Sequence, residues 1–367
     1  MIVKAVFSVT ALSGVLAGLL VIADKYLADY GECKIDINDG SKTLNVKGGS
    51  SLLSSLAREK IFLPSACGGR GTCGYCKCKV TDGVGPLLPT ELPLLDEAEK
   101  AKQIRVGCQV KVKKDIKIVI PEELFYIKEF EAQVEKLEDL TYDIKLLRMK
   151  LLDPTDITFK AGQYAQLYTK PYGKVKDVVS RAYSMASPPS TKNYIDLMVR
   201  LVPEGICTTW VHQHLKVGEK VKVVAPVGDF YVREGDGEMI MVAGGSGMAP
   251  LASMLNDIAE HPINRPITYF FGAVTKRDLF YLDEMRELEQ RIPNFRFVPA
   301  LSKPAPEDEW QGETGLITAP LENHIKGRDN SKVQAYMCGS PGMINACVNV
   351  LTKNGLDRKN IFFDPFA

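Results

Sequence analysis

The sequence predicts a multidomain chain that combines α+β and α/β parts in series. Three observations predict it. An uncharged apolar run extends from Ala5 to Ala23, period-two segments punctuated by glycine and proline fill the middle, and apolar strands near the C-terminus run into glycine turns and helices. The expected architecture is an N-terminal transmembrane helix, a small mixed α+β domain, an antiparallel β-barrel and a parallel-sheet, Rossmann-like domain. Boundaries are expected at 1–30, 31–125, 126–233 and 234–367.

At 367 residues the chain has room for several full cores. Its 46 basic and 45 acidic residues leave a formal charge of +1, so no bulk field draws it to nucleic acid. Nine cysteines form no dense, regular framework, which points to thiolate ligation in a reducing compartment and away from a disulfide scaffold.

The run from Ala5 to Ala23 is just long enough for the roughly 20 residues that span a bilayer as a helix. A cleaved signal peptide starting from Lys4 is the competing reading. The length of the run and the poor cleavage site Ala23-Asp24-Lys25 favour a retained anchor. Gly14 and Gly18 give a GxxxG spacing, which serves helix packing or is simply ordinary membrane-helix composition. Lys4 on one side and Asp24, Lys25 and Asp29 on the other are too balanced to set orientation.

Next, Cys33–Ile37 and Lys42–Val46 flank the turn Asn38-Asp39-Gly40-Ser41, a hairpin signature. Ser51 to Lys60 carries Leu52, Leu53 and Leu56 at helical spacing, with Ser50 or Ser51 as cap. Then comes the loop holding Cys67, Cys73 and Cys76, followed by a helical stretch from Leu94 to Gln103 and by Cys108. Three thiolates in one loop wrap one side of a small iron–sulfur cluster. Gly68, Gly69, Gly71 and Gly74 let the backbone turn and aim N–H groups at sulfur. The spacing C-x5-C-x2-C, one residue longer than the plant type, resembles that of bacterial and adrenodoxin-like [2Fe-2S] ferredoxins. Four thiolates also suit zinc, but Cys108 lacks the paired-knuckle spacing of zinc sites. Cys78 reads as a small core hydrophobe, and Cys33, Cys207 and Cys347 receive no metal role from spacing.

From Glu131 onward, strand-like runs recur at Glu131–Leu137, Tyr142–Leu151, Tyr164–Tyr168, Ala182–Met185 and Tyr194–Leu201, the pattern of a small barrel. Within it stands Arg181-Ala182-Tyr183-Ser184. An arginine pairs a phosphate, a tyrosine two residues on stacks on a planar ring, and a serine hydrogen-bonds a ring nitrogen. Gly205-Ile206-Cys207-Thr208 opens a short helix whose N–H groups suit a pyrophosphate. Each piece alone is also everyday structure.

Near the C-terminus, Glu238–Ala243 is an apolar strand that runs into Gly244-Gly245-Ser246-Gly247-Met248-Ala249-Pro250 and then a helix from Leu251 to Ala259. Strand, glycine turn and helix form the setting for a dinucleotide. Strands at Ile267–Phe271 and Phe295–Ala300 alternate with helices. A further strand leads to Cys338-Gly339-Ser340-Pro341. Cys338 is also readable as a buried strand cysteine.

In this order the motifs resemble the ferredoxin–NAD(P) reductase family, whose patterns are R-x-Y-[ST], G-G-x-G-x-A-P and C-G-x-P. The resemblance implies FAD held by Arg181, Ala182, Tyr183 and Ser184, with Gly205, Cys207 and Thr208 near the pyrophosphate. It also implies NADH at Gly244, Gly245, Gly247, Met248, Ala249 and Pro250, with Cys338 and Gly339 beside the nicotinamide. Pro226–Phe230 looks like the turn that ends that family's barrel.

Over nearly its full length the chain resembles the F subunits of sodium-translocating NADH:quinone oxidoreductases. The resemblance rests on Tyr269–Ala273, Lys276–Tyr281, Ala300–Pro304 with Pro306–Asp308, Tyr336–Gly339 and the ending Asp364-Pro365-Phe366-Ala367. It implies an N-terminal membrane helix, a β-grasp [2Fe-2S] ferredoxin domain with Cys67, Cys73, Cys76 and Cys108 as ligands, an FAD barrel and an NADH domain. Ser184, Cys338 and Phe366 are the implied catalytic set, with Phe366 covering the flavin until nicotinamide displaces it. Implied partners are the membrane, other subunits of a membrane complex and quinone. The implied location is the cytoplasmic face of the inner membrane. One departure stands out: between Tyr168 and Arg181 there is only a short loop, where that family carries a longer insertion. Two rivals remain: the reductase component of an oxygenase, which shares the three modules, and a non-enzymatic iron–sulfur redox sensor.

Overall fold

The computed structural model describes residues 13–17 and 30–366. The expected anchor from Ala5 to Ala23 lies outside the described residues apart from 13–17, which are helical and exposed. Among the described residues no helix is long and apolar enough to cross a membrane. One compact unit ends at Tyr126 and a second begins at Ile127.

The first unit is built on strands β1 (Glu32–Ile37), β2 (Lys42–Lys47), β3 (Lys77–Asp82), β4 (Ile104–Val106) and β5 (Ile116–Val119), in the order β2-β1-β5-β3-β4. β1 and β2 form the expected hairpin, with Asn38 and Asp39 both at positive φ, as a tight twisted turn requires. β1 then pairs parallel to the distant β5, which ties the hairpin to the rest of the sheet. Helix α1 (Leu52–Arg58) packs across it through Leu52 and Leu56, both fully buried, and Ser51 caps it by accepting from the Ser54 N–H.

The second expected helix is shorter than the sequence suggests. Leu92–Leu94 is a single 3₁₀ turn, and α2 covers only Glu97–Ala101. Asp96 and Glu99 form a reciprocal capping box there, which starts the helix three residues after the turn ends. Beneath lies a buried ion pair: Arg105 Nε donates to Glu91 Oε1 at 2.9 Å, and Arg105 also donates to the Gly85 and Pro86 carbonyls.

The second unit contains two sheets. β6 (Lys128–Asp139), β7 (Ile144–Asp153), β8 (Tyr164–Tyr168), β9 (Ser180–Ser184), β10 (Tyr194–Arg200) and β11 (Lys220–Val227) are ordered β10-β7-β6-β11-β8-β9. An antiparallel bridge between Met185 and Leu197 brings the two edge strands together and closes the barrel. β11 is not among the expected strands, yet it sits mid-sheet between β6 and β8. Its lysines at 220 and 222 are exposed beside buried valines at 221 and 223, so the alternation that marks a strand is present. After β10, α3 (Ile206–Thr209) continues directly into a π-helical turn over Trp210–His214.

The last sheet is parallel: β12 (Met239–Gly244), β13 (Ile267–Ala273), β14 (Phe295–Leu301), β15 (Glu313–Thr314), β16 (Gln334–Gly339) and β17 (Ile361–Pro365), in the order β15-β14-β13-β12-β16-β17. Helices α4 (Met248–Glu260), α5 (Leu282–Arg291), α6 (Thr318–Ile325) and α7 (Pro341–Lys353) cover its faces. β12 is buried along all but its last residue, as a central parallel strand covered on both faces must be. β17, unassigned from sequence, pairs parallel with β16 and carries the C-terminal residues to the end of that strand.

Candidate functional site

In the first unit Cys67, Cys73 and Cys76 sit on the loop before β3, and Cys108 follows β4. Gly68, Gly69, Gly71 and Gly74 all lie at positive φ, so the loop takes a path that residues with a β-carbon resist. That path turns N–H groups toward sulfur. The Thr72 and Cys73 amides meet the Cys67 sulfur, the Tyr75 amide meets Cys73, and the Cys108 N–H points at Cys76 Sγ at 3.4 Å. Burial opposes ionisation of the Cys67 thiol, yet these donors bring it down to about 6. Cys108 is also lowered to about 6, by hydrogen bonding from the Cys76 side chain and from the Gln109 amide, whose Nε2 lies 3.4 Å from its sulfur. Gly71 has φ +76°, which disfavours any β-carbon, and a β-carbon there would also push aside the Gln109 amide, 2.4 Å away.

The four thiols fall into two pairs. Cys73 Sγ is 3.4 Å from Cys67 Sγ, and the Cys76 and Cys108 side chains are hydrogen-bonded to one another. Among the described residues, no three cysteine, histidine or carboxylate side chains converge on one point suited to a single ion. Two thiol pairs, each ringed by amide donors, fit a two-iron cluster with two ligands per iron, and they fit poorly with one tetrahedral zinc. Cys78 is buried on β3, opposite Arg105 of β4, and takes no part.

In the second unit β9 presents Arg181, Ala182, Tyr183 and Ser184 opposite β8. The Tyr183 hydroxyl is enclosed beside the Cys207 thiol with no oxygen or nitrogen partner. Its hydrogen bond is to that thiol. Cys207 itself is a core side chain. The Thr208 hydroxyl is already engaged by the turn before it, accepting from the Val202 N–H at 3.2 Å and facing the Gly205 carbonyl. What this turn offers a pyrophosphate is therefore backbone.

The parallel sheet reverses direction at β12. The chain moves from β12 outward to β13, β14 and β15, then returns to β16 on the other side. The crevice at the C-terminal ends of β12 and β16 is the switch point where open α/β sheets bind ligands. Gly244 and Gly339 sit there side by side. Gly245 has φ +55°, and a β-carbon on it would lie 3.3 Å from Arg200 Nη1. Arg200 is held by Asp143 at 2.7 Å and reaches this turn from the end of β10, which sets a cation beside the glycine turn. Gly247 serves packing: its β-carbon would fall 2.2 Å from the Cys338 carbonyl oxygen. Met248, Ala249 and Pro250 are buried, with Met248 Sδ 3.1 Å from the Tyr269 hydroxyl, so their side chains belong to the core.

Three predicted residues converge here. Cys338, next to last on β16, has its thiol fully buried, and burial raises it well above the ordinary thiol range. It lies in register with Asp364 on β17. The Phe366 N–H donates to the Gly339 carbonyl at 2.9 Å, and the Ser184 hydroxyl lies 3.4 Å from Asp364 Oδ2. Burial raises the Asp364 carboxyl to about 6, against the pull of the Ser184 bond. Asp364 and Arg200 had no assigned role from sequence. The signals were an acid two residues before Phe366 in the C-terminal motif and an arginine closing the strand Tyr194–Arg200.

Three family models match: "2Fe-2S iron-sulfur cluster binding domain" over residues 35–113, "Oxidoreductase FAD-binding domain" over 131–231 and "Oxidoreductase NAD-binding domain" over 241–349. The chain is 26% identical to a structure of Amycolatopsis cytochrome P450 reductase GcoB, with TM-score 0.73, covering 91% of this chain and 98% of that one. It shares its fold with the ferredoxin reductase in carbazole 1,9a-dioxygenase, at 24% identity and TM-score 0.70, covering 92% and 98%. It is 36% identical to the F subunit of the Na(+)-translocating NADH-quinone reductase of Pseudomonas aeruginosa, over 96% of this chain and 95% of that protein. The F subunit of the Neisseria meningitidis serogroup B enzyme is 35% identical over 100% and 99%. With three cofactor modules in the same order and full-length relatives at this identity, the chain belongs to the family of Na(+)-translocating NADH-quinone reductase F subunits.

Proposed function

We propose that this chain is the electron-input subunit of a membrane-bound NADH:quinone oxidoreductase. When bound, FAD supplies the conversion of a hydride into single electrons, and the [2Fe-2S] cluster supplies the one-electron carrier. The residues do the positioning. The β12 turn and Arg200 receive the dinucleotide, and Gly247 lets the β12 and β16 ends meet. Ser184, Cys338 and Asp364 fix the ring geometry for hydride transfer at near-attack distance. Arg181 and Tyr183 hold the flavin, with Phe366 as the ring cover that nicotinamide displaces. Cys67, Cys73, Cys76 and Cys108 hold the cluster.

The observation that carries the reading is the convergence of Ser184, Cys338, Asp364 and Phe366 at the sheet's switch point. No strong general base is needed. A preference for NADH over NADPH is supported by the state of the two nearby cations: Arg277 stacks over the Tyr142 ring at 4.0 Å, and Lys276 donates to the Asp308 carbonyl at 3.0 Å. Neither is poised for a 2′-phosphate.

The apolar run from Ala5 to Ala23 is read as a single-pass anchor, with the remainder on the cytoplasmic face, where nicotinamide and reduced clusters belong. Likeness to oxygenase reductases supports the same input chemistry with a different acceptor. The alignment to the meningococcal relative runs over 404 positions against 367 residues here, so relatives carry segments this chain lacks; the short loop before Arg181 is the proposed place. Reconstitution decides between the two. Anchored protein that reduces quinone only with its neighbouring subunits supports the proposal, whereas reduction of a soluble oxygenase partner by anchor-free protein favours the alternative.

A further inference from the structure

The charges flanking the apolar run in sequence are balanced, but folding changes the local balance. Tyr30 enters the first unit pinned against the end of β2: the Gly48 N–H donates to the Gly31 carbonyl at 2.8 Å, and a β-carbon on Gly48 would lie 2.5 Å from Tyr30 Cβ. Residues some eighty positions away close around it. Lys111 Nζ lies 5.7 Å and Lys113 Nζ 5.8 Å from the centre of the Tyr30 ring. The Gly49 N–H donates to the Val112 carbonyl, and the Lys34 N–H donates to Asp115 Oδ1. Lys34, Lys47, Lys111, Lys113 and Lys114 thus ring the point of entry, and all five are exposed. Among the described residues, Glu32 and Asp115 are the acids beside them, and no ion pair engages any of the five.

We infer that this lysine collar is a docking surface for the anionic headgroups of the bilayer in which the chain is anchored. The inference rests on reading 5–23 as that anchor. Asp24 to Asp29 are all that separates the apolar run from Tyr30, a tether of ~25 Å at full extension. The collar is therefore held close to the interface, and shorter tether paths bring it within the ~10 Å over which surface potential persists. No large exposed hydrophobic side chain lies among Tyr30–Ser50 or Lys111–Asp115. Flexible ammonium groups without an apolar centre suit diffuse headgroup charge and do not suit a protein interface, from which lysine is depleted.

The test uses the full holoprotein with vesicles of neutral phosphatidylcholine and with vesicles containing about a third phosphatidylglycerol. Flotation with neutral vesicles reports the anchor separately. Amine-directed labelling, read by mass spectrometry at each lysine, reports the collar. The expected result at low salt is that Lys34, Lys47, Lys111, Lys113 and Lys114 label about five-fold more slowly on anionic than on neutral vesicles. Lys60 and Lys326 should not change, and high salt should remove the difference. In the triple variant Lys111→Gln, Lys113→Gln, Lys114→Gln, with normal cluster and flavin spectra, Lys34 and Lys47 should return to their neutral-vesicle rates. Equal labelling of the five on both vesicle types overturns the inference, whether or not the protein floats.

Discussion

Gly247 gives the sharpest single-residue test of how the nicotinamide site is built. A β-carbon at this position stands 2.2 Å from the Cys338 carbonyl oxygen and 2.6 Å from its carbonyl carbon. Contacts below 3.0 Å do not occur for real β-carbons, and both partners are backbone, so no rotamer change relieves the clash. In Gly247→Ala the β12 turn and the end of β16 must part by about 0.8 Å or more. Overpacking of this kind costs ~1–3 kcal/mol. The larger effect is on rate. The shift moves Cys338 and Gly339 relative to Ser184, and a misplacement near 1 Å lowers a positioned reaction ~100-fold. Stopped-flow measurement of flavin bleaching at saturating NADH is the assay, with Gly342→Ala as control. Nothing lies within 4 Å of a β-carbon at Gly342, so that variant should keep the wild-type rate and gain up to ~1 kcal/mol from helix propensity. A Gly247→Ala protein that bleaches at the wild-type rate would refute the packing argument.

Further outcomes follow from the same geometry. Cys73→Ala should abolish the cluster's absorbance while NADH still reduces the flavin at its normal rate; a parallel loss of flavin reduction would speak against separate centres. Glu91→Gln removes the charge opposite buried Arg105, which keeps only neutral acceptors such as the Gly85 and Pro86 carbonyls, at a cost of up to ~3–5 kcal/mol. Thermal bleaching of the cluster should then occur at a clearly lower temperature, and an unchanged midpoint would contradict the pair's role. Asp364→Asn should change the pH dependence of stability. Burial raises the native carboxyl from 3.8 to about 6, so its contribution is complete below 3.8 and is lost as pH rises through about 6. The side chain is partly accessible, which reduces the expected gain of the variant near neutrality to ~1–2 kcal/mol, with none in acid. Urea midpoints on both sides of that window check it, and a pH-independent difference would be inconsistent. Cys338→Ala should slow hydride transfer, measured in the same stopped-flow experiment; an unchanged rate would remove Cys338 from the positioning set.

Much of this was legible in the sequence because the informative residues are local. The cysteine loop, the 181–184 strand and the glycine turn after β12 each lie within ten residues, and their chemistry requires particular types at fixed spacing. Three kinds of information were not local. The two-by-two pairing of thiols depends on Cys108 returning beside Cys76 through β4. Asp364 gains its role only because β17 adds in parallel to β16, a pairing that no periodicity announces. Gly247 carries the signature of a phosphate turn but is glycine because another strand's backbone touches it. Glycine motifs therefore mix two requirements, ligand approach and packing, that one sequence does not separate. Strand β11 is a different case. Its alternation is visible, but Pro226 falls inside the run, and a proline there argues against a central strand.

One polypeptide relays electrons from NADH through a flavin to a [2Fe-2S] cluster. Anaerobic titration of the purified protein with NADH, following flavin and cluster spectra together with iron and sulfide content, tests it directly. The prediction is that both bands bleach in one titration that consumes about one and a half NADH per chain, two electrons for the flavin and one for the cluster. Flavin that bleaches while the cluster stays oxidised, or protein that holds zinc where iron and sulfide should be, would contradict it.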